Sequence, residues 1–397
     1  MEKILIIRSD NLQGQHINQK NGMPTDDFTE LHYRIALTMV PAIGPVTARK
    51  LIEKIGSASG IFKEKRETLQ KIQGIGPRMA HSFNTSDLLL QAEKELEFLK
   101  RHHISALYYK DWGYPDRLKE CADAPILLYA RGNRGLNPSR SISVVGTRQA
   151  TTYGKDLCRV IVLGLCTHLE DLVVVSGLAF GIDVIAHRAA LEGGIPTVAV
   201  LGHGLSTIYP HAHRETARKI VQQGALVTDF HSGMGPERNN FLRRNRIIAG
   251  MADATLVVES AAAGGSLITA NMANSYDREV LAVPGRTVDQ RSRGCNKLIR
   301  NQVAALVESA EDVLHHLNWN SDTPQEVQTL PLNTLFTREE MKLLELIQQL
   351  HPVGPGDLSI HSGLPIQVVL SLLTEMELKQ WIAVEPGNLY QPRSSLT

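Results

Sequence analysis

No run of about 18 apolar residues occurs in the chain, so it offers no candidate membrane-spanning helix. The apolar stretch between Met1 and Arg8 is too short for a secretory signal, and the expected location is cytoplasmic, with no membrane partner. Cysteine is scarce. Cys121, Cys158, Cys166 and Cys295 form no Cys-x-x-Cys pair, which argues against a disulfide framework or a zinc site and reads as packed thiols. There is no Gly-x-Gly-x-x-Gly opening turn, no Gly-Lys-Ser/Thr P-loop, no His-Glu-x-x-His and no acidic metal cluster. A dinucleotide site, an NTPase and metal-dependent cleavage are thereby disfavoured, and no cofactor is expected. Excess charge is missing too, because a net charge of +1 is no global nucleic-acid signature. Basic residues are nevertheless clustered. Arg238 to Arg246 holds four arginines and no acid, and Arg286 to Arg300 holds five basic residues against Asp289 alone.

At 397 residues and 43% hydrophobic content the chain is long enough for two or three domains. Residues 1-30 read as a polar extension. Residues 31-83 carry two similar units, Val40-Pro41-Ala42-Ile43-Gly44-Pro45 and Ile72-Gln73-Gly74-Ile75-Gly76-Pro77, each an apolar residue in a tight turn with Gly-Pro opening a helix. They resemble a tandem helix-hairpin-helix (SAM-like) module, whose hairpin amides either meet a DNA phosphate or only pack. A connecting segment over 84-137 holds a helix from Asp87 to Arg101 and a strand near Ala106–Tyr109.

From Ser141 the pattern changes. Apolar runs at Ile142–Val145, Leu172–Val175, Thr197–Leu201, Ala225–Thr228, Thr255–Val258 and Val280–Val283 alternate with helical segments. Near-continuous apolar strands predict a parallel sheet covered on both faces, hence an α/β Rossmann-like doubly wound domain over 138-317. A linker over 318-336 precedes residues 337-397, where Thr337 to Glu340 has capping-box form and three helices and a hairpin make a winged-helix pattern.

Ligands of such sheets bind beyond the C-terminal strand ends. Those ends read Gly146-Thr147-Arg148, Ser176-Gly177-Leu178 and Gly202-His203-Gly204, with Gly264-Gly265-Ser266 after the fifth strand. Glycines there let backbone approach a phosphate, and helix N-termini favour negative charge. Phe241-Leu242-Arg243-Arg244-Asn245-Arg246 adds phosphate forks and a stacking face, which suits a single strand. The expectation is that Arg148, Arg244 and Arg246 converge at one sheet edge. Ser176 and Ser266 read as helix caps that also meet the ligand, and Asp183 as a dipole partner or a ligand contact. Glu259 reads as orienting backbone amides, and Phe241 as core or as stacking surface.

The same residues carry a family resemblance. Ser143 to Arg148, Ser176 to Asp183, Arg244 to Gly250, Gly265 to Ala270, Pro284-Gly285 and Gly294 to Ile299 are similar, in order, to signatures of the DNA-processing protein A (DprA/Smf) family. With Tyr114-Pro115 and the two flanking modules, the resemblance spans nearly all of residues 31 to 395. It implies a cytoplasmic homodimer, paired through the Rossmann-like domain, that binds single-stranded DNA without nucleotide hydrolysis. Such a protein protects DNA during natural transformation and loads RecA recombinase onto it despite single-strand-binding protein. By motif match, Gly146, Thr147, Arg148, Ser176, Gly177, Arg244, Asn245 and Arg246 line the strand path, and Gly265, Ser266 and Lys297 complete it. The chain departs from the pattern at Phe180, where many members are basic, at Leu242 in place of Pro, and at Gly264 in place of Ser.

The winged-helix segment points away from DNA reading. Arg338 to Arg393 holds four basic and seven acidic residues, and its candidate recognition helix has Lys379 as sole cation, so a protein-contacting role is expected. Two other functions share the fold class. A nucleotide phosphoribohydrolase needs a Gly-Gly-x-Gly-Thr-x-x-Glu run that Gly264 to Ile268 does not supply. A nucleotide sensor without turnover would be stabilised by mononucleotides.

Overall fold

Both Gly-Pro units start a helix as their chemistry dictates. In the computed structural model, which describes residues 25–83, 85–132, 136–319, 337–350, 352–379, 381–385 and 387–392, Gly44 and Gly76 are N-caps with nearly identical extended backbone. Each is followed by proline at the first helical position, where a missing N–H costs nothing. The helices here are α1 (Thr25–Met39), α2 (Pro45–Ile55), α3 (Ala58–Lys63), α4 (Arg66–Gln70), α5 (Pro77–His81) and α6 (Thr85–Arg101). Thus α1 begins inside the expected polar extension. Ile35, Leu51, Ile61, Leu69 and Ala92 make the buried core of this module.

The strands are β1 (Ser105–Tyr108), β2 (Leu127–Gly132), β3 (Arg140–Val145), β4 (Leu172–Ser176), β5 (Thr197–Val200), β6 (Ala225–Thr228), β7 (Ala254–Val257), β8 (Glu279–Ala282) and β9 (Ala305–Leu306). They form one sheet in the order β1-β2-β6-β5-β4-β3-β7-β8-β9. The strands from β6 to β9 run parallel, and β1 and β2 join antiparallel beside β6. The segment expected to connect therefore contributes two strands to the main sheet. Between strands lie α7 (Asp116–Lys119), α8 (Thr152–His168), α9 (Ile182–Glu192), α10 (Arg214–Gln223), α11 (Arg238–Gly250), α12 (Gly265–Ser275) and α13 (Arg293–Arg300), with α14 (Ala310–His316) at the end.

Both sheet faces are covered. Leu172 and Val174 point into the layer that holds Cys158, Ile161 and Leu165 of α8, while Val173 and Val175 point into the opposite layer with Ile247 of α11 and Ala270 of α12. This double burial is why the strands read as continuous apolar runs rather than alternating ones. Cys121, Cys158 and Cys295 are buried and Cys166 half-buried, all as free thiols, and burial pushes Cys121 up to about 11.

A separate C-terminal unit comprises α15 (Arg338–Leu350), α16 (Pro355–Ser362), α17 (Ile366–Leu378) and the antiparallel hairpin β10 (Ile382–Glu385) and β11 (Leu389–Pro392). Leu343, Ile347, Leu358, Val369, Leu373 and Met376 form its core. The capping box is present, since Thr337 Oγ1 accepts from the Glu340 amide at 3.2 Å and Glu340 Oε2 accepts from the Thr337 amide at 2.7 Å. Among the described residues, no helix is long and apolar enough to cross a membrane.

Candidate functional site

The chain leaves β3 with β4, β5 and β6 on one side and β7 and β8 on the other, so the crossovers reverse direction at the β3–β7 boundary. Loops on either side of such a boundary diverge and open a crevice. Here the Thr147 amide donates to the Glu259 carbonyl at 2.7 Å, which ties the two loops together at the crevice floor. Above them lies a cleft of about 650 Å³. Gly146, Thr147 and Arg148 line it from β3, and Ala179 and Asp183 line it after β4. Arg238, Phe241, Arg244 and Asn245 enter from α11, Gly265 and Ser266 from the start of α12, and Tyr209 from the loop after β5.

The cations differ in kind. Arg148 is exposed, its guanidinium 5.3 Å from the Phe241 ring centroid, and that ring in turn lies 5.8 Å from Tyr209. Arg244 is only 3% exposed and donates from Nη1 to the Val200 carbonyl at 2.5 Å, while its Nε has no partner among the described residues. Burial pulls this guanidinium down to about 10, with Asp183 opposing and Arg148 adding to the shift, so it stays cationic at neutral pH. Burial likewise raises Asp183 above the ordinary carboxylate range, and the Arg244 charge opposes that rise. The cleft thus holds a desolvated cation and a carboxyl that resists ionisation, a setting that favours an anionic ligand.

Two glycines are required by this packing. A Cβ at Gly177 would overlap the Arg244 guanidinium, and one at Gly181, where φ is +77°, would overlap the Thr147 carbonyl and the Arg148 backbone. Glu259 accepts from the Thr151 amide at 2.8 Å and from its hydroxyl at 2.9 Å, which fixes the start of α8 and matches the amide-orienting role expected of it.

Sequence comparison decides the relationship. Residues 105–318 match the family described as DNA recombination-mediator protein A, residues 35–82 a SAM-like helix-hairpin-helix tandem, and residues 324–388 the DprA winged helix domain. The chain belongs to the DprA/Smf family of recombination mediators. Protein Smf of Escherichia coli is 37% identical over 70% of this chain and 75% of its own, and Protein Smf of Synechocystis is 30% identical over 92% and 99%. The crystal structure of DNA processing protein A from Streptococcus pneumoniae superposes with a TM-score of 0.61 at 31% identity, covering 72% of this chain and 97% of that one.

Within this DprA/Smf fold, not every residue singled out by motif reaches the cleft. Gly146, Thr147, Arg148, Phe241, Arg244, Asn245, Gly265 and Ser266 do. Arg246 does not. It is bound to Asp229 at 2.5 Å and to the Asp123 carbonyl, with side chains 9% and 6% exposed in the ion pair. Two positions along a helix differ by about 200°, so a chain that turns Arg244 into the cleft turns Arg246 away. The expected convergence of three guanidinium groups is therefore corrected to Arg148, Arg244 and Arg238. Ser176 is fully buried and donates to the Val144 carbonyl at 2.6 Å, clamping β4 to β3. Neither serine is a helix cap, because Gly181 caps α9 and Gly264 caps α12; Ser266 instead donates to Ser260 at 2.8 Å. Gly177 stands behind Arg244 rather than on the lining, and Lys297 lies on the exposed side of α13, outside the lining. Tyr209 and Arg238 were missed. The signal for Arg238 was present, since it precedes Phe241 by three and Asn245 by seven on one helical face.

Among the described residues, no three His, Cys, Asp or Glu side chains gather as metal ligands do.

Proposed function

We propose that the chain binds single-stranded DNA in this cleft, protects it, and hands it to RecA recombinase, with no step of nucleotide hydrolysis. One observation carries the binding step: Arg148, an exposed guanidinium with no ion-pair partner among the described residues, lies over an aromatic ring at the mouth of a cleft floored by backbone and by a second, buried guanidinium. That arrangement offers charge to a phosphate and a flat surface to a base, and a flexible strand can present both where a duplex hides its bases. Sequence independence follows, because the contacts are to phosphates and π faces. The handover to RecA, the relation to single-strand-binding protein, and pairing of two copies through the sheet domain are supported by family membership alone.

Neither nearby carboxylate favours the phosphoribohydrolase reading, since Glu259 is engaged by Thr151 and Asp183 faces Arg244. The test is a fluorescence-anisotropy titration of an oligothymidylate and of the corresponding duplex, with and without nucleotide, over a salt series. The reading expects tighter binding of the single strand, indifference to nucleotide, and a fall of affinity with salt. Equal affinity for both nucleic acids, or base release from a nucleoside monophosphate, would count against it.

A further inference from the structure

Two aromatic side chains, Phe180 beside the cleft and Tyr209 at its lining, are largely exposed. Phe180 is 48% exposed and Tyr209 is 45% exposed, both on loops that follow parallel strands at the sheet's C-terminal edge. Exposed rings next to a polar, cationic cleft offer flat surface to a base.

The local geometry keeps these rings in place. Phe180 follows the cleft-lining Ala179 and precedes Gly181, whose backbone abuts that of Thr147 and Arg148. His213 lies 4.8 Å from the Phe180 ring at an interplanar angle of 68°, edge to face. His213 is itself buried, with Nδ1 at 2.8 Å from the Leu178 carbonyl, so Phe180 packs on a fixed support and keeps a face free. Tyr209 packs against the half-buried Phe241, with centroids 5.8 Å apart and ring planes tilted by 40°.

Resting on the single-strand reading above, we propose that Phe180 and Tyr209 are base-stacking platforms that extend the site, so that the strand leaves the cleft over the loops after β4 and β5. A second groove, of about 680 Å³, is lined by Tyr153, Arg286 and Arg291. That groove is also lined by Glu259 and Asp289, two carboxylates in the way of a polyanion. Stacking on a free aromatic face is tolerant of sequence and additive along the strand, which fits a binder that must accept any DNA.

The experiment compares Phe180→Leu, Tyr209→Leu and Arg286→Ala with the wild type on two ligands: an oligothymidylate, and an oligomer of the same length made of abasic deoxyribose phosphates. Leucine keeps apolar packing and removes the ring face. Each leucine variant is expected to lose about tenfold in affinity for the oligothymidylate and nothing for the abasic oligomer. Phe180→Trp, which enlarges the platform, should bind at least as tightly as wild type, and this rescue separates stacking from folding. Equal losses on both ligands, or no loss on either, would overturn the proposal, as would a loss confined to Arg286→Ala. The underlying reading is tested separately by Arg148→Ala in the same series. If that variant loses affinity while Phe180→Leu and Tyr209→Leu do not, only the platform proposal falls; if wild type binds no single strand, both fall.

Discussion

Arg148 lies 5.3 Å over Phe241 in the sheet domain, and Lys379 lies 4.6 Å over Trp381 in the winged-helix unit. The two pairs look alike, yet their surroundings differ. Lys379 also binds Glu340 at 2.8 Å and approaches Glu375 at 3.9 Å, so its charge is answered within its own unit. Among the described residues, no carboxylate lies within ion-pairing distance of Arg148. A cation already held by a buried acid serves the fold, whereas one facing solvent over a ring is available to a phosphate. Arg244 and Arg246 repeat the contrast two residues apart: one lines the cleft and the other closes an interior ion pair with Asp229.

The largest effect expected from this contrast is on Arg246. Arg246→Ala leaves Asp229 buried without its partner and should cost about 3–5 kcal/mol of stability in urea denaturation of the full chain. A variant as stable as wild type would show that the pair does not hold the fold. Next comes Asp183, whose carboxyl opposes Arg244. Its raised pKa means that it gains a proton as pH falls, and a bound polyanion favours that neutral form further. Single-strand affinity should therefore rise as pH falls through that raised value, and Asp183→Asn should flatten that pH dependence. An Asn variant that binds more weakly would mean the carboxylate supports the site.

The smallest effect is expected at Lys379. Burial alone would raise Glu340, but Lys379 and Thr337 outweigh it and hold the carboxyl below its ordinary 4.5. The stability it contributes is therefore present above about 4.5 and lost as pH falls through its lower folded value. Lys379→Met should narrow that acid window, read by hydrogen exchange of α15 and α17 amides, and because the ammonium is 44% exposed the change should be small.

The sheet was legible because double burial writes each inner strand as an apolar run, and Ile142 to Val145 or Val280 to Val283 need no further signal. The antiparallel addition of β1 and β2 was not legible as part of that sheet. Leu127-Leu128-Tyr129-Ala130 is an apolar run in a segment expected only to connect, and its pairing with β6 across nearly a hundred residues leaves no local mark. At the cleft, the strand-end rule located Gly146, Arg148 and Gly265, and the Arg-rich run located α11. That run misled only where it was taken as a block. Helical phase, applied to Phe241, Asn245 and Ile248, selects the cleft face and would have set Arg246 on the other side. Tyr209 could not be found this way, since a loop residue reaches the cleft by tertiary geometry that no periodicity encodes.

The deciding question is whether a guanidinium without an ion-pair partner over a ring, rather than basic residues in general, grips the strand. Arg148→Ala and Lys379→Ala should be titrated side by side against an oligothymidylate across a salt series. Arg148→Ala is expected to lose about tenfold or more in affinity and to reduce the salt slope by about 0.7, while Lys379→Ala tracks the wild type. The reverse pattern, with Lys379→Ala weakened and Arg148→Ala unchanged, would contradict the account.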